Sequence, residues 1–405
     1  MERFFTDLKT VQRFRSGPLG VYVQKLANQL ADSGFRRRTI RLQLRAADQF
    51  GRWLCHRKDI QAASRSDVDA YMRRHGCVKR GEHKALIRLF SIMEQEGIVV
   101  GTANATTNPR DAFLERFADF LDQERGLSVS SITLRRGIAN KLADHCFGVD
   151  PMDWSRIEAS QILSFVRKEV RRTKTGARNT TTAVRSLLKY LHLSGLMTKD
   201  LAGVVPSVAS WSLAGVPKGL SRDQVDRMLK SCDRNTLVGR RDYAILLLLA
   251  RLGLRAGEVA RLELNDIDWK SGLISLVGKG EQLSQLPLPD DVGKAIAAYL
   301  RFDRPPSSCR RIFIRIPAPH VGLTGSKGVG PLVKRALERS GVESHGKGAH
   351  QLRHGLATEM LRSGASLAEI GEVLRHQDLR STSIYAKVDV NALRTLAQAW
   401  PGGEK

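Results

Sequence analysis

The sequence predicts a multidomain, mainly α-helical protein: two N-terminal all-helical modules, then a mixed α+β domain with a small antiparallel sheet. Three observations lead there. The chain has 405 residues, and at about 100–200 residues per domain that allows two to four. Its first half repeats apolar residues at helical spacing. From Ser221 the pattern changes, and two short strand-like runs follow. Hydrophobic residues make up 42%, close to the ~45–50% of folded globular chains.

In the first 218 residues, segments such as VYVQKLANQLADSG and TIRLQLRAADQFGRWL carry the 3.6-residue period, separated by short polar breaks such as SGFRRR. This region resembles itself. Gly34-Phe35 followed by Thr39-Ile40 and Leu42 matches Gly126-Leu127 followed by Ser131-Ile132 and Leu134, and Phe50 then falls on Leu142. Val68 and Tyr71 match Ile162 and Phe165. Leu89, Phe90, Met93 and Gly97 match Leu187, Leu188, Leu191 and Gly195. The offset grows in one direction, as loop-length changes between two copies would make it. Any two amphipathic helices look somewhat alike, but the conserved order and the glycine stops favour a duplication. The expected domains are 1–108 and 109–205, a linker at 206–218 rich in Gly, Pro, Ser and small apolar residues, and 219–405.

In the last of these, Ser221 is an expected N-cap. RDYAILLLLARLGL is apolar nearly all round and should be a buried helix. LISLVGKG and QLPLP read as two strands joined by a Gly-rich turn, and helices resume from Pro331.

The charge needs a partner. The chain has 66 Lys+Arg against 41 Asp+Glu, a formal +25. Residues 1–110 hold 21 and 10, residues 111–218 hold 16 and 11, and the remainder 29 and 20. A basic surface along the whole chain suits a long polyanion such as a DNA duplex. The competing reading is a set of solvated arginine faces. The N-terminal residues lack a secretory h-region, the longest apolar run (243–250) is too short for a membrane span, and the five scattered cysteines form no CxxC. A cytoplasmic, nucleoid-associated protein, with no membrane partner, is expected.

Five pieces of the last 190 residues stand out: LGLRAGEVARLELNDID with Arg255 and Glu258, VGKGEQLSQLPLP with Lys279, HQLRHGLATEMLRSG with His350 and Arg353, LRHQDLRSTSIYAKV with His376, and Tyr385 nine residues after that histidine. Together they resemble the tyrosine recombinase, or phage integrase, family, whose pattern is an arginine in LGLR-x-x-E, a hairpin lysine, H-x-L-R, and a histidine followed nine residues later by tyrosine. The resemblance is detailed over 219–395 and looser before it. It implies SAM-like helical DNA-binding modules, a site-specific recombinase acting through a 3′-phosphotyrosyl link without metal or ATP, no cofactor, and a homotetramer on double-stranded DNA, with other recombinase subunits as further partners.

The chemistry asks for a nucleophile, cations around the phosphoryl group, and an acid for the leaving oxygen. Tyr385 supplies the first, though one tyrosine alone in such a chain reads as a core residue. Arg255 and Arg353 are the candidate phosphate clamp, because guanidinium forks bind two oxygens at once. Glu258, three residues on, either orients Arg255 or makes a routine surface pair. His350 is a candidate to take the tyrosine proton or to hydrogen-bond the phosphate, and His376 to bond a non-bridging oxygen. His350 and His354 stand at i,i+4 like a metal pair, but H-E-x-x-H is absent and no third ligand is evident, so no metal is expected. Lys279 as general acid rests on the resemblance.

The sequence departs from the family at Arg375, where glycine is usual, and at Gln285-Leu286-Pro287, where an arginine before Val-Pro is common. RPPSSCRR (304–311) reads as a basic loop, either a backbone contact or a connector, and VNALRTLAQAW as a C-terminal amphipathic helix. A type IB topoisomerase and a non-cleaving DNA-binding factor of the same fold are the alternatives.

Overall fold

A computed structural model describes residues 1–57, 59–75, 81–98, 108–148, 150–172, 176–208, 217–278, 282–344, 346, 348–376, 378 and 380–388. Lys279 and the expected C-terminal helix (residues 390–400) lie outside the described residues. The chain divides into two compact units, one formed by residues 1–99 with 213–405, the other by 100–212.

In the first unit, α1 (Leu8–Ser16), α2 (Gly20–Asp32), α3 (Arg37–Cys55), α4 (Arg65–Arg74) and α5 (Glu82–Gln95) surround one apolar core. Leu26, Leu44, Phe50, Val68, Leu89, Phe90 and Met93 are fully buried there. The second unit is built from α6 (Pro109–Gln123), α7 (Val129–Phe147), α8 (Ala159–Arg172) and α9 (Ala177–Leu193), with Phe117, Leu142, Ile162, Leu187, Leu188 and Leu191 at its centre. Helices α3 and α7 each run 19 residues. Both follow a glycine of positive φ, Gly34 at 79° and Gly126 at 53°. Gly97 and Gly195, after α5 and α9, also have positive φ.

The remaining core of the first unit forms around α11 (Leu237–Arg251), where Ala244 to Leu249 are all buried, so every side of the helix must meet protein. Around it stand α10 (Arg222–Lys230), α12 (Ala256–Arg261), α13 (Asp290–Phe302), α14 (Gly325–Ser340) and α15 (His350–Arg362). Ser221 caps α10 in a capping box with Gln224. Strands β1 (Ile267–Asp268), β2 (Leu273–Val277) and β3 (Leu283–Pro287) form an antiparallel sheet in that order, with Val277 opposite Leu283 at the hairpin end. Ile274 and Leu276 turn into the core. The third strand lies two residues nearer the turn than the QLPLP reading placed it: the ladder pairs Leu283 with Val277 and Pro287 with Leu273, and beyond it Leu288 N donates to the Gly272 carbonyl at 2.8 Å.

Helix α14 starts at Gly325, earlier than the Pro331 start read from the sequence, and carries that proline inside. Val329, Leu332, Val333, Ala336 and Leu337 make one buried face across it. Burial of that face outweighs the one backbone hydrogen bond that the proline forgoes. The 304–311 loop is tied to the protein. Arg304 donates to the carbonyls of Cys309, Arg311 and Ile312, Arg310 donates to Asn265, and Arg311 donates to the Arg261 carbonyl and pairs with Glu263. This connector therefore spends its guanidinium donors internally. Among the described residues no helix is long and apolar enough to cross a membrane.

Candidate active site

Chain entry into the catalytic region fixes α15. Leu220 N donates to the Gln351 carbonyl at 3.2 Å. A side chain on Gly219 would meet Gly355 N at 2.4 Å, and one on Gly355 would meet the Leu220 carbonyl at 2.4 Å. The two glycines let the backbones cross, and α15 is held with His350, Arg353 and His354 on its first two turns.

Arg353 is 4% exposed. Its Nη1 donates to the Gly253 carbonyl and its Nη2 to the Leu374 carbonyl. The first carbonyl precedes the turn that carries Arg255, and the second precedes the turn that carries Arg375 and His376. One guanidinium thus braces two turns separated in sequence by more than a hundred residues, while each terminal nitrogen keeps a second N–H. Burial, with the neighbouring Arg255 charge, pulls its pKa down to about 10, still well above neutral pH.

Arg255 is the N-cap of α12 and holds Glu258 in a reciprocal box. Its backbone N–H donates to Glu258 Oε2 at 2.8 Å, and its Nη1 donates to Oε1 at 2.8 Å. Glu258 is 3% exposed, so of the two sequence readings the buried orienting carboxylate is the one observed, not a routine surface pair. The same Oε2 accepts from Arg375 Nη2 at 2.8 Å. Burial alone would raise the Glu258 pKa, but the Arg255 amide and the Arg375 and Arg255 guanidiniums hold it below the ordinary carboxylate value.

Arg375 explains its departure from glycine. It follows α16 (Leu367–Val373), and its φ is 53°, the left-handed region that glycine usually fills. Arg375 N donates to the Glu372 carbonyl and His376 N to the Gly371 carbonyl, both at 2.9 Å. This is the paired pattern of a Schellman motif. The left-handed conformation costs an arginine about 1–2 kcal/mol, and the Glu258 ion pair offsets it.

Tyr385 lies just after α17 (Arg380–Ser383) and is 1% exposed, in a small core with Ala357, Ile370 and Leu374. Its hydroxyl is 2.8 Å from His354 Nδ1. Burial raises its pKa, and Arg353 counters that. The His376 ring lies parallel to the tyrosine ring at 6.5 Å between centroids, and its Nδ1 is 2.7 Å from Thr382 Oγ1. Burial and the Arg353 and Arg255 charges push the His376 pKa down to about 4, so it is neutral at neutral pH. His354 is likewise lowered, by burial and by His350 and Arg353.

A cleft of about 370 Å³ is lined by Arg255, Arg375, His376, Ser381 and the hairpin residues Gly278, Gln282 and Ser284. Gly278 and Gln282, the described residues on either side of 279–281, thus border the cleft, while Lys279 itself is outside the described residues. Arg255, Arg353, His376, Tyr385 and Glu258 are brought together. His350, at the exposed start of α15, reaches the cluster through His354, ring centroids 6.3 Å apart. The group that touches the tyrosine is His354. The sequence reading weighed it only as half of a metal pair, and its signal was its place one turn after His350 and next to Arg353. Arg375 was noticed as a departure, but its bond to Glu258 was not foreseen.

A tyrosine hydroxyl on a neutral histidine, beside a cleft edged by guanidiniums, is an arrangement for phosphoryl transfer by a protein nucleophile. The phage integrase family model matches residues 218–392. The "Putative integrase/recombinase y4rA" of Sinorhizobium fredii is 42% identical over 411 residues, spanning 99% of each chain. Tyrosine recombinase XerD of Listeria monocytogenes is 31% identical over 282 residues, covering 68% of this chain and 93% of the relative. In structure, XerH bound to palindromic difH substrate aligns over 93% of both chains with a TM-score of 0.52 at 15% identity. A lambda integrase (75–356) dimer on a COC′ core site aligns over 72% of this chain and 98% of that one, with a TM-score of 0.52 at 14% identity. The chain belongs to the tyrosine recombinase, or phage integrase, family. It is a site-specific recombinase, an enzyme of DNA strand cleavage and transfer, and the topoisomerase and non-cleaving alternatives are not favoured.

Proposed function

We propose that Tyr385 is the nucleophile of this recombinase, that His354 takes its proton, and that Arg255, Arg353 and Arg375 supply the positive field for the attacked phosphate. The observation that carries the reading is the 2.8 Å contact between the Tyr385 hydroxyl and His354. A neutral histidine there accepts the phenol proton as the oxygen attacks phosphorus. The bond to the 5′ oxygen breaks, Lys279 protonates that oxygen, and a 3′-phosphotyrosyl link remains whose bond energy serves rejoining. Arg255 and Arg375 line the cleft and meet non-bridging oxygens. Arg353 acts chiefly as the brace beneath them, and its charge favours the phenolate. His350 supports His354, and His376 donates from Nε2 to the phosphate while Thr382 holds Nδ1. Because Tyr385 is buried, attack requires the Ile384–Val388 turn to shift toward the cleft once DNA fills it.

The two sets of helices, α2 to α5 and α6 to α9, are proposed as a duplicated, SAM-like DNA-binding module, the second acting as the core-binding partner and the first extending the footprint. Their matched buried positions and equal-length α3 and α7 support this. A homotetramer on DNA completes the reading, with XerH and lambda integrase described on DNA as its support. The test is a nicked duplex that traps the cleaved strand. Wild type should form a covalent adduct and Tyr385→Phe none. An adduct retained by the variant would refute the assignment.

A further inference from the structure

We infer that α3 of the first module is a reading helix for the major groove of duplex DNA, presenting Arg38, Leu42, Arg45 and Gln49 to base edges. The inference rests on the proposal that the first module contacts DNA, and it names the face that does so.

Helix α3 carries five arginines and one acid, Asp48, which is buried. The arginines divide into two sets. Arg37 and Arg41 donate to the Phe4 carbonyl, and Arg52 bonds Asp48 at 3.3 Å. Those three secure the module. Arg38 and Arg45 are exposed, and among the described residues they make no hydrogen bond or ion pair. With Leu42 and Gln49 they stand at i, i+4, i+7 and i+11, which is one stripe of a helix. Gln49 is also exposed, and Leu42 is 39% exposed.

The composition of that stripe matters. Arginine pairs bidentately with the guanine edge, glutamine with the adenine edge, and an apolar side chain packs on the thymine methyl. A helix 19 residues long spans about 28 Å, long enough to lie across the groove. A stripe built only for phosphates would need neither the exposed leucine nor the glutamine. The matched helix α7 keeps the exposed leucine, Leu134 at 46%. It replaces Arg38 with Ser130, Arg45 with Gly137 and Gln49 with Lys141, whose amine bonds Glu169. The same platform thus carries a different outward set, as two modules reading different base pairs would.

The experiment selects preferred sites from long randomised duplexes with the full-length protein. Wild type should return a block of preferred bases around the cleavage position and a second block outside it. Arg45→Ala with Gln49→Ala should keep the first block and lose the second, with discrimination falling roughly ten-fold or more at each contacted pair. Arg65→Ala, which removes an exposed arginine bonded to Glu94, should change neither block. Circular dichroism melts should match wild type, since the altered side chains are exposed. If the outer block survives in the double variant but footprinting shows the first module on DNA, α3 is not the reader while the underlying proposal stands. If footprinting shows no protection that the first module accounts for, both fall. A uniform loss of affinity with a shallower salt slope and no change in base preference would make the face a phosphate contact and overturn base reading.

Discussion

Glu258→Gln tests the electrostatic centre of the site. The carboxylate has a side chain 2% exposed and binds two guanidiniums at 2.8 Å, Arg255 on its own turn and Arg375 from 117 residues away. Removing one partner of a buried ion pair costs about 3–5 kcal/mol. Glutamine keeps one acceptor, which places the loss near the lower end, about 3 kcal/mol. For a unit of this size, at about 2.1 cal/mol/K of unfolding entropy per residue, that corresponds to a fall in melting temperature of about 5 °C. The pH dependence has a definite sign. The folded pKa of Glu258 lies below its ordinary value, so its stabilisation is full at neutral pH and is lost as pH falls through the folded value. The gap between wild type and variant should therefore narrow in acid. Without the carboxylate, the Arg255 fork loses its holder, and a misplacement of about 1 Å lowers cleavage by about a hundred-fold. Melts at neutral and acid pH, with single-turnover cleavage of a trapping duplex, measure both effects. A variant that melts within about 1 °C of wild type and cleaves at its rate would refute the reasoning.

Three further outcomes follow from the same geometry. His354→Gln should slow adduct formation by about 10²–10⁴-fold. The His354 pKa is lowered, so wild-type cleavage should persist into mildly acidic pH and fall only below the ordinary histidine range. The variant's pH–rate profile should lack that acid limb. Tyr385→Phe should abolish the adduct and, by removing the hydroxyl bond to His354, cost about 1 kcal/mol in urea unfolding. Arg375→Ala and Arg375→Gly both lose the Glu258 pair, but glycine adopts the φ of 53° freely. The alanine variant should therefore be the less stable by about 1–2 kcal/mol in urea unfolding.

Much of this protein is legible along the chain, because helical periodicity, capping residues and strand alternation are local. The apolar run in α11 predicted a helix buried all round, and Ser221 predicted the cap of α10. The His376-to-Tyr385 spacing singled out Tyr385 as the candidate nucleophile before any fold was known. The charge of +25 asked for a polyanion, and the recombinase family supplies one.

The tertiary structure decided which groups touch. Nothing local says that Arg353 spends two nitrogens on the carbonyls of Gly253 and Leu374, since both belong to distant turns. Nor does it say that His354 reaches Tyr385, or that Arg375 adopts a left-handed turn with its charge held by Glu258. Hydrogen bonds and ion pairs depend on distances of about 3 Å between segments that only packing brings together. Residue types and spacing therefore determined the parts of the site, and burial and backbone crossing at Gly219 and Gly355 determined their arrangement.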